Sequence, residues 1–201
     1  MTSSIPEKIK GFLFKPAGSF RGVRNEQPGE TLKYFFAIAA IYSILMGVMI
    51  MLRLAATHPF LSLVPSIDPT QVAVFDVFGV ILMIVLMLVL SFIFAVIFGI
   101  WLHIFVYLLG GRKGFWETEK SVFYNLTPMM LIGWIPFIGA LIGAIWSIIL
   151  GVIGVRELHE LSTAKAAVAV ILAVIIPIIL LIVIAAAFLI AFVTSSPTPV
   201  L

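Results

Sequence analysis

From Tyr34 to Leu52 the chain runs 19 residues without a charge, and from Val72 to Leu109 it runs 38 with Asp76 as its only charge. A hydrocarbon layer about 30 Å thick is crossed by roughly 20 apolar residues in a helix. Such runs have few alternatives to a bilayer. The whole sequence of 201 residues is 63% hydrophobic and only 10% charged, whereas soluble domains are about half apolar and a quarter charged. The fold class expected is all-α, a polytopic membrane protein.

Five spans are expected, at about 34–52, 72–109, 115–133, 138–155 and 164–193, with a 1–33 segment before them and a 194–201 tail after. The first run begins too far along the chain for a signal sequence, so it reads as a span. The 72–109 run is nearly two spans long. It has no internal Pro, and Gly79 and Gly99 are isolated, so one long helix is predicted, with its first turns and Asp76 above the bilayer. Asp68-Pro69-Thr70-Gln71 before it reads as a helix start. The 115–133 run is amphipathic as far as Ser121 and apolar afterwards; Trp134-Ile135-Pro136-Phe137 closes it in a tight turn. The 164–193 run is long enough that it must tilt, kink at Pro177 or protrude.

Orientation follows from the basic residues. Lys8, Lys10, Lys15, Arg21, Arg24 and Lys33 precede the first span; Arg112, Lys113 and Lys120 lie between the second and third; Arg156 and Lys165 lie between the fourth and fifth. Only Arg53, of twelve Lys and Arg, falls on the other side. Basic residues stay cytoplasmic, so the N-terminus is expected inside and the C-terminus outside. The net charge of +3 suits loops facing anionic lipid headgroups, and nucleic acid is not expected as a partner. Absence of Cys excludes disulfides, thiolate metal sites and a Cys nucleophile.

The 1–33 segment is predicted to begin with a capping box, Ser4-Ile5-Pro6-Glu7, followed by Ile9, Phe12 and Leu13 at helical spacing. It reads as a short amphipathic helix in the headgroup region, with a second short segment over Pro16–Arg24 and a break at Pro28-Gly29. Arg112, Lys113, Arg156, Glu157, His159 and Glu160 form a candidate cytoplasmic interaction surface, with Arg156 and Glu160 one turn apart. Inside the membrane, His103 with Tyr124, Asn125 and Thr127 forms a candidate polar cluster; ionisable groups at that depth are costly and often functional. Gly139, Gly143, Ser147 and Gly151 recur every fourth residue as a candidate helix-packing face. It suits either packing inside the monomer or a homo-oligomer. The Glu157, His159 and Glu160 spacing does not make a metal site, and no cofactor or catalytic residue is expected. The span centres offer no paired Asp, no zinc helix and no acidic relay.

Several short stretches resemble one family when taken in order. They are Phe14-Lys15-Pro16 with Phe20; Tyr107-Leu108-Leu109-Gly110-Gly111-Arg112; Tyr124 with Thr127-Pro128; Gly133-Trp134-Ile135-Pro136-Phe137-Ile138-Gly139; Gly151 to His159; and Ser162-Thr163-Ala164-Lys165-Ala166. Together they resemble Yip1-domain proteins. The resemblance implies a five-helix integral membrane domain with a cytoplasmic N-terminus. Eukaryotic members act in Golgi and endoplasmic reticulum trafficking and bind prenylated Rab GTPases. The segment before the first span is short here and lacks a long acidic extension, so the chain is more similar to prokaryotic members and the Rab partner is not implied.

Two functions are expected to compete. One is a non-enzymatic membrane scaffold or adaptor that meets a protein partner on the cytoplasmic face. The other is a small-solute or lipid transporter or channel with a polar path near His103, Tyr124, Asn125 and Thr127. The expected location is the cell membrane, or a Golgi or endoplasmic reticulum membrane if the source is eukaryotic.

Overall fold

A computed structural model describes residues 4–51 and 77–195. The expectations for Arg53, the Asp68-Pro69 helix start, Asp76 and the tail beyond Ser195 lie outside the described residues. Within them the fold is eight α-helices and no strand: α1 (Ile5–Phe14), α2 (Pro16–Gly22), α3 (Pro28–Met51), α4 (Val77–Leu108), α5 (Phe115–Asn125), α6 (Thr127–Ile132), α7 (Ile138–His159) and α8 (Thr163–Ser195).

Four of these are long and apolar enough to cross a membrane: Pro28–Met49 of α3, Phe78–Leu108 of α4, all of α7, and Thr163–Phe192 of α8. Helix α3 starts earlier than the apolar run does. Pro28 stands at its beginning instead of breaking the chain, because the first helical turn needs no N–H from that residue. Helix α4 is continuous across its 32 residues. Helix α8 continues through Pro177 for 33 residues, about 50 Å of rise. Ser162 accepts the Lys165 N–H at 3.4 Å at its start.

The 115–133 segment is not one helix. Pro128 has no N–H to offer the Tyr124 carbonyl one turn back. The Thr127 hydroxyl donates to that carbonyl instead, at 2.7 Å, and the chain re-starts as α6. The two pieces nevertheless run as one antiparallel companion to α7, with α5 and α6 both packed along it. After α6 the chain reverses at Phe137, with φ 61° and ψ −75°, while the Ile138 N–H donates to the Pro136 carbonyl at 2.8 Å. That is a γ-turn of the rare, strained hand.

Two short helices close one end of the bundle. Glu7 accepts the Ser4 N–H at 2.9 Å, fixing the start of α1. The apolar side of α1 and α2 turns onto the protein: Phe12 and Phe20 are fully buried, and α2 packs against α7. Phe12 stacks on Tyr124 with ring centroids 4.2 Å apart, and Phe20 meets Phe12 edge-on at 4.9 Å. Gly154 of α7 admits the Phe20 ring; a methyl group there would overlap the ring edge and the Ser121 hydroxyl.

Candidate functional site

Charged side chains of three stretches, 8–33, 112–120 and 156–165, gather at the end that α1 and α2 cover. Every basic residue among the described residues belongs to these stretches. Arg24 reaches α7 twice, donating to the Glu157 carbonyl at 2.6 Å and pairing with Glu160 at 3.1 Å. Lys113, in the link between α4 and α5, pairs with the other Glu160 oxygen at 2.7 Å. Arg156 pairs with Glu157 at 2.6 Å, and Arg21 approaches the same carboxylate at 3.4 Å. So Arg156 and Glu160 each find other partners than one another. Glu160 ends α7 in the left-handed conformation, φ 56°, which turns its side chain toward Lys113 and Arg24. The Lys113 ammonium, hydrogen-bonded to it, holds the Glu160 carboxyl below its ordinary value, with Arg24 adding to the effect. Arg112 stacks on the Tyr107 ring, its guanidinium carbon 3.7 Å from the centroid.

Beneath this rim lies a buried polar layer. Lys8 pairs with Glu26, and Tyr124 donates its hydroxyl to the other Glu26 oxygen. The Lys8 ammonium also sits 5.9 and 5.8 Å from the centroids of the Tyr34 and Tyr124 rings, close enough for cation–π attraction. The Thr127 proton is already committed to the Tyr124 carbonyl, so Tyr34 donates to Thr127 at 3.0 Å. Lys120, only 1% exposed, is satisfied by Glu117 at 2.9 Å and by the Arg24 carbonyl at 2.8 Å.

His103 takes no part in the Tyr124 and Thr127 group. Its Nδ1 meets the Thr118 hydroxyl at 2.7 Å, and the same hydroxyl meets His159 Nε2 at 2.9 Å. One threonine of α5 thus joins histidines from α4 and α7. A hydroxyl both donates and accepts, so the bridge can hold with both rings neutral. His159 is buried beneath the rim instead of lying on it. Three of the four candidate intramembrane residues therefore divide into two groups, His103 with Thr118 and His159, and Tyr124 with Thr127, Tyr34 and Glu26, while Asn125 is buried beside Gly151.

Along α7 the small residues face α5 and α6. A Cβ at Gly143 would stand 3.0 Å from the Met129 Cα, and one at Gly151 would stand 3.1 Å from the Asn125 amide nitrogen. Gly139 faces the Ile132 carbonyl and Ile135. Ser147, in the same row, is buried.

Sequence reasoning missed Lys8, Glu26, Tyr34, Thr118 and Glu119. Thr118 and Glu119 had a signal. Phe115, Thr118, Glu119, Val122, Phe123 and Leu126 make one stripe at helical spacing, which puts both polar residues on the buried side of α5. Glu26 had none, because its partners depend on α1 and α2 folding back.

No group of three or more His, Asp or Glu residues suited to a metal ion occurs among the described residues. No curated protein matches the chain, and no solved structure does. The model of the Yip1 domain matches residues 10–192, a span that takes in α2 through most of α8, the charged rim and the buried polar layer except Lys8. Apolar helices able to cross a membrane, capped at one end by a short helical pair, are the setting of that match, and the chain belongs to the Yip1-domain family of membrane proteins.

Proposed function

We propose that the protein is a non-enzymatic membrane scaffold or adaptor whose interaction surface is the charged rim around Arg24, Lys113, Arg156 and Glu160. The observation that carries this reading is the rim's construction. Three segments far apart in sequence lock together through Glu157 and Glu160, while Arg24, Lys113 and Glu160 stay between 38 and 48% exposed. A rigid, exposed, mixed-charge surface suits recognition by a complementary partner. The division of the intramembrane polar residues into two groups leaves no continuous polar path among the described residues and counts against a transport route.

In this reading the chain crosses five times. Helices α5 and α6 together supply the third crossing, because they accompany α7 antiparallel along its length. Their 17 residues with the bend between them rise about 27 Å. The charged end faces the cytoplasm, following the basic residues, where anionic headgroups surround it.

Cysteine labelling tests the topology in this Cys-free chain: Lys113→Cys should label from the cytoplasm and Thr198→Cys from outside, and labelling of both from one side sinks the five-crossing arrangement. Cross-linking in native membranes tests the function. A partner cross-linked near position 113 should be lost on reversing Glu160 to Lys. Solute flux in reconstituted liposomes that disappears in a folded His103→Ala variant would replace the scaffold with a transporter.

A further inference from the structure

Seven glutamates lie in this chain, and six have an evident partner. Glu7 accepts the Ser4 N–H. Glu26 pairs with Lys8, Glu30 with Lys33, Glu117 with Lys120, Glu157 with Arg156, and Glu160 with Lys113. Glu119 differs from all of them. It is 2% exposed, and neither carboxyl oxygen has a hydrogen-bond partner among the described residues.

We propose that Glu119 is an intramembrane proton-binding site, carrying its proton at neutral pH as an un-ionised carboxylic acid in the seam between α4 and α5.

The surroundings are built for a neutral acid. The carboxyl lies against Gly99 of α4, where any Cβ would occupy the same space. Gly99 is nine residues from the end of α4, about 14 Å into the helix. Ala95 and Leu102, a turn away on either side of Gly99, are fully buried and apolar. An ionised carboxylate has roughly four lone-pair sites to satisfy, and among the described residues neither Glu119 oxygen receives a hydrogen bond.

The charged and titratable groups on the surrounding helices are engaged elsewhere. On α4, His103 is bonded through Nδ1 to Thr118. On α7, His159 meets the same hydroxyl through Nε2, and Arg156 and Glu157 pair with each other. On α3, Glu30 and Lys33 pair with each other. On α5 itself, Glu117 and Lys120 pair, and Tyr124 donates to Glu26. A buried charge is tolerated when it is paired and hydrogen-bonded; otherwise the group neutralises. Glu119 meets neither condition as a carboxylate and needs no partner of opposite charge as an acid. Releasing the proton requires water at the carboxyl, so release and a parting of α4 from α5 occur together.

Infrared spectroscopy of the full chain in nanodiscs tests this directly. The carbonyl stretch of an un-ionised carboxylic acid should be present at neutral pH, absent in Glu119→Gln, and lost from the wild type only on the alkaline side. If Glu119→Gln fails to fold, wild type grown with carbonyl-13C glutamate decides the matter. A neutral-pH acid band that shifts with the isotope supports Glu119, since the other six glutamates sit at cations or a backbone N–H. A spectrum with only carboxylate bands from glutamate at neutral pH overturns the proposal. So does an acid band that survives intact in a folded Glu119→Gln variant.

Discussion

The two halves of α8 meet different surroundings. In the first half Ala166, Ala169, Val170 and Ala173 are buried against the bundle. In the second, Ile178, Leu180, Leu181, Ile184, Phe188 and Phe192 are each at least half exposed. Both halves are apolar, so hydrophobicity does not tell them apart; the buried face of the first half is three alanines and a valine, while Ala185, Ala186 and Ala187 of the second stay exposed. Lipid tails are as apolar as leucine, so helices gain little from hiding large aliphatics from the bilayer and associate by close packing of small residues. The bundle-facing side of the first half of α8 follows that rule, whereas large aliphatics such as Leu102, Leu150 and Leu158 fill the core elsewhere. The second half leaves its whole circumference exposed.

Substitutions can break that contrast. Phe12→Ala should have the largest effect. It removes a fully buried ring stacked on Tyr124, a change that costs about 3–5 kcal/mol in well-packed cores. Its thermal unfolding in nanodiscs should fall accordingly, and protease should cut between α1 and α3 far faster. Gly154→Val should follow. Its added methyl groups collide with Phe20, overpacking that costs about 1–3 kcal/mol, and loss of α2 protection without change in the membrane-inserted fragment is the expected pattern. Tyr124→Phe keeps the ring and removes one donor from Glu26; loss of a hydrogen bond to a charged group costs about 1.5–3 kcal/mol. A destabilisation by Tyr124→Phe equal to that of Phe12→Ala would mean that the ionic layer, not the aromatic packing, holds the cap. Leu181→Ala, on the exposed half of α8, should stay within about 0.5 kcal/mol. A loss as large as that of Phe12→Ala would reveal a protein neighbour on that surface.

The smallest effect concerns pH. Glu160 has a lowered carboxyl value when folded, so the stability it contributes is present above the ordinary value of 4.5 and is lost as pH falls through the folded one. Thermal stability should fall in that acidic range in the wild type, remain constant from there to neutral pH, and lose this acid dependence in Glu160→Gln.

Much of this was legible in the sequence, for identifiable reasons. Length and uncharged runs marked α3, α4, α7 and α8, because a span is a property of about 20 consecutive residues. The four-residue recurrence from Gly139 to Gly151 marked a helix face. The break at Leu126 was harder. Pro128 signals it, yet the Thr127 hydroxyl substitutes so directly for the missing N–H that α5 and α6 still run on as one companion to α7. The polar pairings were not legible. His103 meets Thr118 and not Tyr124, because the face of α4 that meets α5 is set by the close approach at Gly99. Lys8, Glu26 and Tyr124 converge only once the cap has docked. Glu119 was hidden by its neighbours Glu117 and Lys120, which make the whole stretch look solvated although Glu119 and Lys120 are both buried.

The cap also imposes an order on biogenesis. Arg24 bonds to Glu160, 136 residues further along, and Lys8 shares its layer with Tyr124, 116 residues away. At ribosomal rates of about 5–20 residues per second, the first helices leave the ribosome on the order of ten seconds before the surface that receives them exists. They must wait with Phe12 and Phe20 uncovered while the membrane helices are inserted beside them. Closure of the charged end is therefore a late event, and helices made before the spans are among the last elements to reach their place.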